Sequence, residues 1–249
     1  MNSLYQNIII NSEVGKTQLA VLIDPDKIEI EEIPSFIRNI NRTIATHIFV
    51  GGSDVKIDNL DELISNIKLH TKLPVILFPG DVNQISNKAD GVLFLSLISG
   101  RNPDYLIGKQ VKAVERLIQS NLEVIPTGYI LIENGKKTSV ESVSNTSPIN
   151  RTDIELIKHT AKAGEFLGMK LIYLEAGSGA LNPISAKIIE QVKQALNIPL
   201  IIGGGIRSKV ALQTAVKAGA DLVVIGNAFE NDKLFFECLL NPNSKITTK

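Results

Sequence analysis

Residues 198–229, IPLIIGGGIRSKVALQTAVKAGADLVVIGNAF, decide how the fold is read. Residues 199–202 form an apolar run too short for a helix and closed by Gly203, Gly204 and Gly205, which predicts a buried strand. Ser208 is placed to cap the helix that follows, with Val210, Ala211, Ala215 and Ala218 on its apolar side and Gly219 just past its end. A second buried strand over 220–225 runs into Gly226 and Asn227. Two consecutive strand ends without side-chain bulk leave backbone N–H groups able to close around a phosphate. In a (β/α)8 barrel, the loops after strands 7 and 8 commonly hold such a site. Read more plainly, the same glycines only make tight turns.

Upstream, the same unit recurs. Strands are expected at 18–23, 47–50, 74–78, 91–95, within 122–132, and at 171–174. Between them, Ile33, Phe36, Ile37, Ile40 and Ile44 keep helical spacing, and Leu60, Leu63, Ile64 and Ile67 form a buried stripe behind Asp58 as N-cap. Asn102 and Pro103 open a helix with a stripe of Leu106, Ile107, Val111, Val114, Leu117 and Ile118. Thr152 and Glu155 read as a capping box for a helix ending near Gly168, and Asn182 and Pro183 as the start of one reaching Leu196. Only residues 81–90 separate the third strand from the fourth, at or below the minimum for a βαβ crossover. The expectation is one (β/α)8 TIM barrel over 1–249 with its third helix short or missing and a groove in that gap. Residues 133–151 are polar, lack a period and are long for a βα connection: a lid or a solvated insertion.

Composition narrows the class. The 249 residues are the usual size of such a barrel, and the 26 basic and 26 acidic residues cancel, leaving no footprint for nucleic acid or an anionic membrane. Cys238 stands alone, His47, His70 and His159 are scattered, and no signal peptide or membrane-length apolar run is visible. A soluble cytoplasmic enzyme is expected, and a homo-oligomer, since barrels with exposed apolar helix faces commonly associate.

Polar residues just past the strand ends face the active site of a barrel. Here they are Asp24, Asp26 and Lys27, then Ser53, Tyr129, Glu175, Ser178, the glycine turns and Asn227. Asp24 with Ser53 suffices for a hard cation that keeps substrate phosphates as further ligands; Asp24 could equally be a turn residue before Pro25. Glu175 opens a glycine-rich turn, where a carboxylate is costly unless it is hydrogen-bonded or used.

The segments LIDPDK (22–27), GGS (51–53), FPG (78–80), YLEAGSG (173–179), GGGIRS (203–208) and Gly226-Asn227 together resemble geranylgeranylglyceryl phosphate synthases and the related heptaprenylglyceryl phosphate synthases. The likeness runs from Asp24 to Phe229, and IDPDK and YLEAGSG are its specific parts. It implies a barrel lacking its third helix that joins a polyprenyl diphosphate, geranylgeranyl diphosphate first among them, to sn-glycerol 1-phosphate with Mg²⁺. It further implies Asp24 and Ser53 as Mg²⁺ ligands. Tyr173, Leu174, Glu175, Ala176, Gly177, Ser178, Gly179, Gly204, Gly205, Gly226 and Asn227 would hold glycerol phosphate, and Glu175 would be the base. Leu95, Leu97 and Ile98 are expected along the prenyl groove, and residues 99–103 (SGRNP) look like the branch that includes bacterial members. Two other classes share parts of the pattern. A sugar-phosphate isomerase barrel would need an acid–base pair at the ends of strands 1 and 5, where strand 5 offers Thr127, Gly128 and Tyr129. A non-catalytic phosphate- or prenyl-binding barrel would leave Glu175 structural.

Overall fold

The computed structural model describes residues 3–52, 59–226, 237, 239 and 240. Eight parallel strands close in sequence order: β1 (Gln18–Ile23), β2 (His47–Val50), β3 (Val75–Leu77), β4 (Gly91–Leu97), β5 (Glu123–Leu131), β6 (Leu171–Glu175), β7 (Leu200–Gly203) and β8 (Leu222–Ile225). Closure is made by β1 on β8, with Gln18 opposite Leu222 and Val21 opposite Ile225. Around them lie α1 (Leu4–Glu13), α2 (Ile33–Asn41), α3 (Leu60–His70), α4 (Lys109–Ile118), α5 (Ser139–Ser144), α6 (Ile154–Phe166), α7 (Ala186–Ala195) and α8 (Lys209–Lys217).

The period of two in each strand separates two cores. Ile172 and Leu174 of β6 face the helices, whereas Leu171 and Tyr173 fill the barrel interior. Every strand behaves alike: Ala20, Phe49, Ile76, Leu93, Tyr129, Ile201 and Val224 all point inward. Continuing that alternation to the strand ends brings Asp24, Gly51, Phe78, Tyr129, Glu175 and Gly226 to one mouth. The register of the barrel therefore assembles the site.

α1, which the sequence reading did not foresee, closes the opposite end. Ile8 is buried in the barrel core with Leu4 and Tyr5 against it. The Leu4 and Tyr5 N–H groups donate to the Glu123 carboxylate at the start of β5, an anion on a helix N-terminus. The third crossover is one short 3₁₀ turn, Val82–Gln84, as the spacing of 81–90 requires.

Four local expectations are corrected. Asp153, not Thr152, caps α6 by accepting from Leu156 N at 3.1 Å, while the Thr152 hydroxyl turns back to Asn150. α7 begins at Ala186 behind the Ser185 cap rather than at Asn182-Pro183. Val210 is exposed, and Leu212 takes its place in the core. The largest correction is α4. Its chain enters through a π-helical turn, Asp104–Gly108, which rotates the helix so that Gln110 and Ala113 are buried. Ile107, Val111, Val114 and Ile118, expected inside, are instead 44–78% exposed. Asp58 lies outside the described residues.

Candidate active site

The mouth encloses a cavity of about 530 Å³ lined by Asp24, Lys27, Tyr173, Glu175, Ser178, Gly179, Gly204, Gly205, Arg207 and Gly226, among others. Joined to it, where the third helix is missing, is an apolar groove of about 110 Å³ lined by Val92, Leu95, Leu97, Ala113, Leu117 and Val143 with their neighbours. Gly52, Phe78, Tyr129 and Val140 line both. One space thus has a polar half and an apolar half. Leu95 and Leu97 belong to the groove as expected, but Ile98 packs towards Gly128 and Gly164.

Glu175 sits at the polar end, 7% exposed. Burial raises its carboxyl from the usual 4.5 to about 7. Two contacts oppose that rise: the Gly177 N–H donates to Oε1 at 2.5 Å, and the Tyr173 phenol leans on the carboxylate without forming a full hydrogen bond. A buried carboxyl titrating near neutrality beside a polar cavity is the signature of a proton-transfer group.

The glycines differ in what they do. Gly204 has φ +82°, and a Cβ there would lie 2.7 Å from Gly177 N and 2.8 Å from Ala176 N, so the residue is required by its own fold. Gly226 has no such neighbour among the described residues, where a Cβ would meet only Leu22, at 3.8 Å. Its bareness serves open space in the cavity. Of the other expected contacts, Leu174 and Ala176 turn their side chains to the outer core, and the Gly177 N–H is taken by Glu175. Tyr173, Glu175, Ser178 and Gly179 do face the cavity. Ser53 and Asn227 lie outside the described residues.

Asp24 accepts from Asp26 N at 3.3 Å and pairs with Lys27 across the rim. Among the described residues no group of three acidic, His or Cys side chains could hold a metal unaided. Lys27 and Arg207 line the cavity, and Lys136 and Arg207 flank Gly179, so cations ring the glycine turns. Lys136 lies in the aperiodic stretch 133–151 and Arg207 inside the GGGIRS segment, but the sequence alone assigns neither a role. Phe78, Tyr129 and Tyr173 pack together where the two halves meet: Phe78 stacks on Tyr173 and Tyr129 is tilted against it, with centroids 5.3 Å apart in both pairs.

Closed parallel topology, glycines at the ends of β7 and β8, and a buried glutamate at the mouth define a (β/α)8 barrel whose polar cavity opens onto an apolar annex. Within that class the chain belongs to the PcrB family, whose pattern matches residues 12–242. It is 53% identical to a geranylgeranylglyceryl phosphate synthase of Flavobacterium johnsoniae over 95% of this chain and 98% of that one. A geranylgeranylglyceryl phosphate synthase of Zunongwangia profunda is 55% identical over 93% and 98%. The structure of this chain resembles that of (S)-3-O-geranylgeranylglyceryl phosphate synthase from Thermoplasma acidophilum in complex with sn-glycerol-1-phosphate, with TM-score 0.89, 34% identity and 96% of each chain covered.

Proposed function

We propose that this protein joins a polyprenyl diphosphate, geranylgeranyl diphosphate first among the candidates, to sn-glycerol 1-phosphate, forming a prenyl ether and releasing diphosphate. The observation that carries this reading is the placement of Glu175, buried and titrating near 7, where a polar cavity ringed by cations and glycine turns meets an apolar groove. The names of the relatives and the ligand of the Thermoplasma enzyme support it.

The residues divide the work. The turns at Gly204-Gly205 and Gly226, with Asn227 beyond, hold the phosphate, while Arg207 and Lys136 neutralise it. Tyr173, Ser178 and Gly179 orient the glycerol so that its free hydroxyl meets Glu175. As the hydroxyl oxygen bonds the allylic carbon, the C–O bond to diphosphate breaks with its electron pair, and Glu175 takes the hydroxyl proton. The apolar groove excludes water from the prenyl chain, and the mutually packed rings of Phe78, Tyr129 and Tyr173 at its junction with the cavity would offer π-electron density to the carbon that becomes cationic. Asp24, with Ser53, would hold Mg²⁺; one or two protein oxygens suffice when substrate phosphates complete the shell. Bound there, Mg²⁺ would neutralise the charge that grows on the leaving diphosphate.

Tyr129 weighs against the isomerase alternative. It is the residue that strand 5 brings to the mouth, and burial holds its phenol well above 10, so it offers no base opposite Asp24. The exposed face of Val111, Val114 and Ile118 on α4, continued by Ile107 in the π-helical turn before it, supports a homo-oligomer in which a second copy covers it. Light scattering of the wild type and of Val111→Glu checks that. No helix of the described residues is long and apolar enough to cross a membrane, and action from the cytoplasm is part of the proposal.

Mixing the protein with Mg²⁺, sn-glycerol 1-phosphate and a ladder of prenyl diphosphates, then weighing the products, tests the reading. A prenylglyceryl phosphate is expected with at least one donor. Absence of any ether product across the ladder contradicts it.

A further inference from the structure

Behind the cavity wall, Asn134 ties the loop after β5 to the loop after β6, which begins next to Glu175. It lies just past β5, 1% exposed, in a stretch whose sequence carries no periodic signal. Its Nδ2 donates to the Ala176 carbonyl at 2.5 Å, and its own carbonyl accepts from Asn182 Nδ2 at 3.0 Å. Its Oδ1 is buried without a hydrogen-bond partner among the described residues. A buried amide with one orphaned oxygen is costly, so its remaining hydrogen bond must matter to something.

What it holds is a single peptide unit. The Ala176 carbonyl and the Gly177 N–H are the two ends of one planar group. Asn134 grips the oxygen end, and the hydrogen end donates to Glu175 Oε1 at 2.5 Å. Gly177 has φ +98°, a conformation open to glycine, so this peptide could rotate at little cost were it not held. Rotation would swing the N–H away from the carboxylate and bring the carbonyl oxygen towards it.

We infer that Asn134 is a positioning residue. By clamping the Ala176–Gly177 peptide it fixes the orientation and the hydrogen bond of the Glu175 carboxylate. The catalytic consequence rests on the function proposed above; the effect on the carboxylate itself does not. The other titratable or charged groups facing Glu175 across the cavity are Tyr129 and Tyr173, Asp24 and Lys27 from the loop after β1, and Arg207 from the loop after β7. None of these contacts Asn134 by a described hydrogen bond or ion pair, so a change at Asn134 reaches Glu175 through the peptide.

Asn134→Leu keeps the branching and number of heavy atoms and removes the donor; Asn134→Ser is the smaller companion should the Leu variant fold poorly. Carbon-13 NMR of glutamate-labelled full-length protein, with Glu175→Gln to assign the signal, reads the carboxyl directly. The Gly177 N–H holds the carboxyl down, so losing it should move the Glu175 titration upward by about one pH unit. With wild-type substrates, kcat should fall more than ~10-fold while the KM for glycerol phosphate changes less than ~3-fold. Unchanged Glu175 titration in a folded variant overturns the inference, even if thermal stability drops, because that pattern is plain packing loss. If the wild type proves inactive on every prenyl donor, the proposed function fails, whereas the NMR shift still decides the role of Asn134.

Discussion

Glu175→Gln should make the protein more stable and less active at once. In the unfolded chain the carboxyl ionises near 4.5, and in the fold it waits until about 7. Between those values the folded state binds more protons than the unfolded state, so stability falls as pH rises through the window and the loss is complete above about 7. The difference corresponds to about 3 kcal/mol carried by the ionised form at pH 8. The amide removes that cost while keeping Oε1 for the Gly177 N–H, and its NH₂ finds an acceptor in the unpartnered Tyr173 hydroxyl. Thermal unfolding in metal-free buffer is the assay. For a chain of this length about 3 kcal/mol amounts to a rise of roughly 6–12 °C in midpoint at pH 8, shrinking towards zero below pH ~4.5. A midpoint at or below the wild type at pH 8 would refute the reasoning and make the carboxylate a structural brace.

Further outcomes follow from the same geometry. His47, buried at the start of β2, is held down to about 4 by desolvation, so the folded state binds fewer protons than the unfolded one between 4 and 6.5 and stability falls as pH drops through that range. Its slope opposes that of Glu175; in His47→Gln, urea titrations from pH 4.5 to 6.5 should show stability decreasing with pH, and an unchanged profile would contradict this. Gly226→Ala should fold normally, because a Cβ there has 3.8 Å of clearance from the described residues, yet raise the KM for glycerol phosphate ~10-fold or more with the prenyl donor little affected. Equal effects on both substrates would contradict that. Asp24→Asn should lose most of its rate at saturating Mg²⁺ while keeping its affinity for glycerol phosphate by calorimetry; wild-type rates would remove Asp24 from the metal site.

What the chain discloses in advance depends on whether neighbours decide a residue's role. β2 and the stripe of α3 were legible because a short apolar run and a helical repeat each have one way to be buried. The missing third helix was legible from chain length alone, since 81–90 cannot span a helical crossover. α4 misled because its apolar residues do form a face, but the π-helical turn ahead of it and the polar side chain of Gln110, bonded to Leu95 O, set which face turns inward. α1 escaped because only Ile8 of its residues is buried, leaving Ser3 as a cap but no stripe. At the site, Asp24, Glu175 and the glycine turns were visible at strand ends, where barrel register brings them together. Asn134 was not, because its role exists only across 42 residues of sequence, through a peptide in another loop.

The most direct test of Glu175 as the base for ether formation is the pH dependence of kcat/KM for glycerol 1-phosphate and a prenyl diphosphate, in the wild type and Glu175→Gln. The account predicts product formation in the wild type with a limb rising through pH ~7 that the variant lacks, and a variant rate lower by ~10²-fold or more at pH 8. A limb shared by both belongs to the substrate phosphate, whose second ionisation lies near 6. A wild-type profile that superimposes on that of Glu175→Gln at equal rates would contradict the account.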